Sequence, residues 1–260
     1  MSQTLSSRSR VVAFFDNQIW IVRILILVVA GALLEVTVQN EWVDPFFVPP
    51  PSEFLVQMLR DVVDPVFLGY VLTTFYEVVS AFVLSVILGT LGGYLLWRFK
   101  RLGAAYEPMV AAIFSSPIVL LYPIFIIFFG RTSLAIIALA TTFSFLPIIL
   151  FTRQGLAAVS PTLLKVGASM NISSWSAFRH ILVPAAAPTI FTGLRIGVTY
   201  ILIVVIAMEY ILSLGGLGFF VSEVSLMFRA SELYSGVTLV VLISAGFIYL
   251  TYRAERLVRR

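Results

Sequence analysis

Two glutamates, Glu77 and Glu209, are of chemical interest because each lies inside a long apolar stretch of the sequence. A charged side chain at the centre of a membrane span costs about 2.5–3.5 kcal/mol on insertion scales. Intramembrane acids therefore usually face a cavity or a polar partner. Two neighbouring acids favour a cationic group or a shared proton between them. Both glutamates are candidate substrate-path residues; the alternative is a structural role, in which backbone, water or a basic residue such as Arg131 satisfies each.

A second candidate for the substrate path is the segment Ser115-Ser116-Pro117, which interrupts a third apolar stretch of the sequence. Proline removes a backbone hydrogen bond, and such breaks are tolerated in membranes where neighbouring helices or a cavity compensate. The segment either lines a substrate path or forms a plain kink. The chain has no cysteine and one histidine, His180. We therefore predict no catalytic residue and no metal site in this chain.

Composition indicates the class of protein that positions these residues. Hydrophobic residues make up 60% of the 260 residues and charged residues 12%, whereas soluble domains are about half apolar and about one quarter charged. A soluble enzyme and a disordered or fibrous chain are excluded. Since a spanning helix takes about 20 residues, we predict an all-α, polytopic membrane protein forming a single transmembrane domain over 1–260. The predicted spans cover 19–38, 69–97, 105–129, 133–151, 188–212 and 235–252.

Charge predicts the orientation of these spans. With both termini cytoplasmic, the inner segments hold twelve Lys or Arg against three acids, and the outer segments hold three Arg against seven acids. This asymmetry follows the positive-inside rule. Scattered basic residues in so apolar a chain fit anionic membrane lipid better than nucleic acid. We predict a multi-pass protein of the cell (inner) membrane.

Two polar connections complete the organisation. Three prolines and Ser52 predict a short amphipathic helix over about 51–64 that lies along the periplasmic membrane surface. The cytoplasmic loop over about 153–187 predicts two short helices, the first ending at Asn171 in a left-handed turn and the second interrupted by Pro184. The loop either packs on its own bundle or docks a soluble partner.

This loop resembles the EAA loop of permease subunits of binding-protein-dependent ABC importers. With Asn171 in the place of the family's glycine, Ile181 and Pro184 fall on its Ile and Pro, and Trp175 falls where an aromatic residue is common. Lys165 stands where the family has glutamate. The resemblance implies a set of ATPase-coupling residues. They are Lys165, Gly167, Ala168, Asn171, Trp175, Ile181 and Pro184.

Other segments are similar to the nitrate/sulfonate/taurine-type branch of that family. They are Phe47-Val48-Pro49-Pro50-Pro51-Ser52, the prolines 117 and 123, Gly193-Leu194-Arg195, Glu209 and Gly216-Leu217-Gly218. The resemblance spans roughly residues 45–220 and implies the type I, MetI-like permease fold. Glu77 lies where this branch often has an arginine, so we expect a small organic solute rather than a simple inorganic anion.

The resemblance also implies partners. They are two cytoplasmic ABC ATPase subunits, a second permease chain (the same or different) and an external solute-binding protein. This chain would bind no cofactor, since it lacks the Gly-x-x-x-x-Gly-Lys-Ser/Thr phosphate loop, and ATP and Mg²⁺ would bind in the ATPases. Lys165 favours a second, different permease that carries the ordinary acidic loop. The alternative function is an ion-coupled secondary transporter that uses Glu77 and Glu209.

Overall fold

The computed structural model describes residues 3–160, 162, 163, 165, 169 and 172–258. Every regular element in this part of the chain is helical. The α-helices are α1 (Gln3–Gln39), α2 (Pro51–Val63), α3 (Pro65–Arg98), α4 (Lys100–Phe114), α5 (Tyr122–Phe129), α6 (Ser133–Ala157), α7 (Ser174–Ala177), α8 (Val183–Leu212), α9 (Gly216–Leu226) and α10 (Ala230–Val258). A 3₁₀ turn, Ile118–Leu121, precedes α5, and a π-helical turn, Phe178–Leu182, joins α7 to α8.

Five helical stretches among the described residues are long and apolar enough to cross a membrane. They are Ile21–Gln39, Pro65–Arg98, Ser133–Ala157, Trp175–Leu212 and Ala230–Arg256. The remaining predicted span, 105–129, consists of α4, the 3₁₀ turn and α5. Pro117 and Pro123 lack the amide hydrogens that a continuous helix would need there, so this stretch is broken rather than absent.

One local prediction was wrong. Pro184 does not interrupt a helix, and the fifth span does not begin at Pro188. Pro184 occupies the first turn of α8, where its missing amide costs no hydrogen bond, and Pro188 lies inside the same helix. The π-helical turn keeps the chain helical from Ser174 to Leu212.

The chain forms two compact units. The first contains the chain up to Val62 together with Val224–Ser235. Within it, the polar side of α2 contacts the start of α10: the Asp61 carboxylate accepts a hydrogen bond of 2.5 Å from the Ser235 hydroxyl. Leu59 on α2 is exposed. A helix with bonded polar groups and outward apolar side chains suits a membrane surface, which stays a prediction for α2.

The second unit contains Val63–Glu223 and the chain from Gly236 onward. Its core is α6, which packs between α3 and α8. Ile148 of α6 is fully buried and faces a glycine on each side. A Cβ atom would lie 2.6 Å from the Ile148 side chain at Gly89 and 3.0 Å from it at Gly197. These glycines therefore allow the close helix packing that small residues provide in membranes.

Candidate functional site: a buried glutamate pair and a docking segment

Glu209 is the centre of a buried hydrogen-bond network that joins α3, α8 and α9. Its Oε1 atom accepts a 2.6 Å hydrogen bond from the Thr74 hydroxyl, and its Oε2 atom accepts a 2.9 Å bond from the Gly218 amide. Thr74 in turn accepts a 2.8 Å bond from the Leu217 amide. These amides belong to the first turn of α9, where no intrahelical partner exists. The network therefore fastens the start of α9 to α3.

The Gly-Leu-Gly segment makes room for the Glu209 carboxylate. Gly216 has a φ of 87°, and a Cβ atom there would overlap the Glu209 carboxyl group. At Gly218 a Cβ atom would lie 2.8 Å from Glu209 Cβ. Ser213, at a φ of 52°, ends α8 in the left-handed conformation. The local sequence thus turns the chain sharply so that the Gly218 amide, in the first turn of α9, reaches back to Glu209 near the end of α8.

Glu77 lies beside this network, as the sequence indicated for a pair of acids. Its carboxyl group faces the side chains of Glu209 and Ser133. Glu77 is 1% exposed and Glu209 is 0% exposed. Within the described residues, the Oε2 atom of Glu77 is buried without a hydrogen-bond partner. The arrangement leaves one carboxylate oxygen for a proton, a cation or a polar group of a ligand.

Arg131 does not pair with either acid. Its guanidinium donates a 2.5 Å hydrogen bond to the carbonyl of Leu212, the last residue of α8. A cation at this position satisfies a free carbonyl and complements the negative end of the helix dipole. In the described part of the chain, no ion pair joins Glu77 or Glu209 to a basic residue.

Thr74, which bonds both Glu209 and the Leu217 amide, was not among the residues predicted from the sequence. It precedes Glu77 by three residues, so the two side chains share one face of α3. A hydroxyl on the same helical face as an intramembrane acid is the signal that identifies it. Thr74 is 2% exposed.

Ser115, Ser116 and Pro117 form a non-helical break between α4 and the 3₁₀ turn. The Ser115 and Ser116 hydroxyls donate to the Ala112 carbonyl, at 2.8 and 3.3 Å. All three residues are exposed in the isolated chain. They share no hydrogen bond with Glu77 or Glu209 in the part of the chain described, so the two candidate groups are separate features.

The predicted docking segment is the part of the cytoplasmic loop, over about 153–187, that carries the predicted ATPase-coupling residues. Those of its coupling residues that the structure describes are largely exposed. Lys165 is helical and exposed, Pro184 is exposed, Ile181 is half-buried, and the Trp175 side chain is 68% exposed. Gly167, Ala168 and Asn171, which the resemblance also implicated, lie outside the described residues.

Two ion pairs hold the helices near this segment. Arg153 of α6 pairs with Glu107 of α4. Arg195 of α8 lies 3.7 Å from the buried carboxylate of Glu255 on α10. Across the described ranges, no group of three or more His, Asp or Glu residues is close enough to hold a metal ion.

Comparisons with known proteins agree with this architecture. A sequence profile for the family described as binding-protein-dependent transport system inner membrane component matches residues 81–260. The formylaminopyrimidine transport permease protein ThiX of Halalkalibacterium halodurans is 25% identical over 193 residues, which are 74% of this chain and 77% of ThiX. The taurine transport system permease protein TauC of Escherichia coli is 25% identical over 211 residues, which are 78% of this chain and 75% of TauC.

A solved structure has the same fold. The methionine ABC transporter MetNI, in an inward-facing conformation, contains a chain that superposes with a TM-score of 0.62 at 19% identity, covering 75% of this chain and 96% of that one. The predicted fold class, all-α and MetI-like, is confirmed. The chain belongs to the family of binding-protein-dependent transport system inner membrane components.

Proposed function

We propose that this chain forms half of the translocation pathway of an ATP-driven importer for a small organic solute, which an external binding protein delivers. Membership of the permease family supports the importer and gives no support to the alternative, an ion-coupled secondary transporter. The observation that carries the pathway is the break at Ser115-Ser116-Pro117. The depth of this break in the membrane determines whether it can face lipid or must face a water-filled pathway.

The break lies far inside the membrane. Helix α4 has 15 residues and begins with the basic residues Lys100 and Arg101, which lie at the predicted inner surface. The predicted span begins at Ala105, ten residues before Ser115. At 1.5 Å per residue, the break lies about 15 Å along the helix from that boundary, near the middle of a hydrocarbon core about 30 Å thick. Irregular backbone at this depth is tolerated only where it is buried in protein or lines a water-filled cavity. We place it against a water-filled pathway between two permease chains.

The cytoplasmic face of the chain indicates which partners the importer requires. The exposed ring of Trp175 and the segment around it form the docking surface for one cytoplasmic ATPase, and a symmetric assembly requires two ATPases and a second permease chain. ATP and Mg²⁺ bind in the ATPases, which hydrolyse the nucleotide; this chain is not an enzyme and binds no cofactor. Lys165 favours a second permease of different sequence.

The solute class follows from the branch and from the buried acids. Relatives are named for taurine and for formylaminopyrimidine, both small organic molecules. The free Oε2 atom of Glu77 favours a solute with a cationic or hydrogen-bond-donating group over a simple inorganic anion. The importer works in the cell (inner) membrane of a bacterium or archaeon.

A cysteine introduced at the break tests the pathway. The chain contains no cysteine, so Ser116→Cys creates a unique thiol. In the complex reconstituted into liposomes, we expect a charged, water-soluble thiol reagent to modify Ser116→Cys rapidly. The matched control is Ile127→Cys on α5, whose native side chain is 80% exposed and apolar enough to face lipid. Equal, slow modification of both variants would overturn the proposal.

Affinity purification tests the assembly. The tagged full chain, extracted from its native membrane into lipid nanodiscs, should carry an ABC ATPase in stoichiometric amount, identified by mass spectrometry. Recovery of this chain without any ATPase would reject the importer function.

A further inference from the structure

Four aromatic rings connect the docking segment to the inner end of α3. Trp175 stacks on Phe178, with ring centroids 5.6 Å apart. Phe178 meets Tyr94 of α3 edge to face at 5.5 Å, and Tyr94 lies 5.8 Å from Trp97. These separations fall in the range at which aromatic pairs attract one another beyond simple area burial. We call these four residues the aromatic relay.

The relay is exposed at one end and embedded at the other. The Trp175 side chain is 68% exposed, which leaves it free to contact a soluble partner. Phe178, Tyr94 and Trp97 pack against the second buried cluster of the chain. That cluster consists of Leu156, Val159, Leu182 and Ala186. A push on the Trp175 ring therefore reaches packed side chains, which transmit displacement because protein interiors are dense.

The backbone at Phe178 has an unusual geometry. Phe178–Leu182 is π-helical, and the Val183 amide donates to the Phe178 carbonyl, five residues earlier. Single π-helical turns inside α-helices are rare and occur frequently at functional sites. The turn separates the docking segment from the long helix α8. The ring contact with Tyr94 offers a route from the docking segment to α3 that does not run along α8.

Helix α3 connects this inner contact to the buried glutamate network. Tyr94 and Thr74 belong to one uninterrupted helix, and the 20 residues between them correspond to about 30 Å at 1.5 Å per residue. Thr74 holds Glu209 and the start of α9. A rigid movement of α3 therefore changes both ends of the membrane domain together.

We propose that Phe178 and Tyr94 are positioning residues for transport, which pass the movement of the ATPase-bound docking segment to α3. This inference deepens the proposed function and rests on it. Phe178 acts through Tyr94 rather than on the solute. Substitution of either Phe178 or Tyr94 removes the contact between the two rings.

Electron paramagnetic resonance on the whole complex tests the relay. Spin labels at Leu72→Cys on α3 and Leu134→Cys on α6 report the movement of α3, since both native side chains are exposed and the chain has no other cysteine. In the otherwise unmodified chain we expect ATP with vanadate to shift the distance between the labels. Phe178→Leu and Tyr94→Leu should each reduce the shifted fraction by about two- to tenfold, the factor that one aromatic pair is worth.

Three comparisons separate transmission from simple packing. Phe178→Tyr keeps the ring and should restore the shift. The double variant of Phe178→Leu with Tyr94→Leu should be no worse than either single variant, because both remove one contact. Phe75→Leu is the matched control, since Phe75 also lies on α3 and its ring lies 5.7 Å from Phe247; its shift should be unchanged.

The outcomes distinguish this inference from the function on which it rests. Each variant is scored only where the ATPase co-purifies with it. A full shift in both leucine variants would overturn the relay while leaving the importer intact. Failure of the ATPase to co-purify with the unmodified chain would refute the proposed function itself. An additive loss in the double variant would show that the two rings act separately and would also overturn the relay.

Discussion

Removal of the Thr74 hydroxyl should destabilise the outer end of the second unit, because that single group makes two buried hydrogen bonds. Thr74→Val keeps the shape of the side chain. It deprives Glu209 Oε1 of a donor at 2.6 Å and leaves the Leu217 amide without its acceptor at 2.8 Å. A hydrogen bond to a charged group contributes about 1.5–3 kcal/mol, and one between neutral groups about 0.5–1.5 kcal/mol. We expect a total cost of about 2–4 kcal/mol.

Thermal unfolding of the purified chain measures this cost. For a chain of 150–250 residues, 1 kcal/mol corresponds to about 2–4 °C in Tm, so Thr74→Val should lower Tm by about 5–15 °C. Thr74→Ser is the matched control, because it keeps the hydroxyl and removes one methyl group, which costs about 0.8 kcal/mol. If Thr74→Val melts no lower than Thr74→Ser, the network does not stabilise the fold and the reasoning fails.

Further predictions concern topology, packing, transport and composition. Ser174→Cys should be labelled by membrane-impermeant thiol reagents only from the cytoplasmic side; labelling of intact cells from outside would contradict the positive-inside assignment. Gly218→Ala should cost about 1–3 kcal/mol by overpacking against the Ile206 carbonyl and Glu209, whereas Gly246→Ala, with nothing within 4 Å of its added Cβ, should not destabilise. Glu77→Gln should slow solute uptake into proteoliposomes while the ATPase still co-purifies, and unchanged uptake would make Glu77 structural. Native mass spectrometry should find a second, different permease chain, as Lys165 suggests; two copies of this chain alone would reject that composition.

The helical architecture follows from patterns that are strong in membrane sequences. Apolar stretches of about 20 residues are unambiguous because backbone polar groups in lipid require a helix. The break at Pro117 was equally visible, since proline removes an amide hydrogen wherever it occurs. The exact helix ends were not predictable. Pro184 and Pro188 suggested helix boundaries, whereas Pro184 occupies the first turn of α8 and the π-helical turn before it keeps the segment helical.

The network around Glu209 was only half visible in the sequence. The acid itself is conspicuous, because charge inside a span is costly. Its hydrogen-bond partners are the hydroxyl of Thr74, more than a hundred residues away, and the amide of Gly218. A contact between distant segments leaves no local pattern. The π-helical turn at Phe178 was hidden for a similar reason, since no residue type specifies one.

The two intramembrane acids therefore differ in how readily each can bind a solute. Both carboxylate oxygens of Glu209 accept hydrogen bonds, so a solute that displaced them would release the end of α8 from α3 and from the start of α9. Among the described residues, the Oε2 atom of Glu77 has no hydrogen-bond partner, so Glu77 can bind a new group without breaking such contacts. Because Glu209 ties α3, α8 and α9 together, we expect these helices to move as one group. The pathway then opens beside them, where the break at Ser115–Pro117 already interrupts the helix.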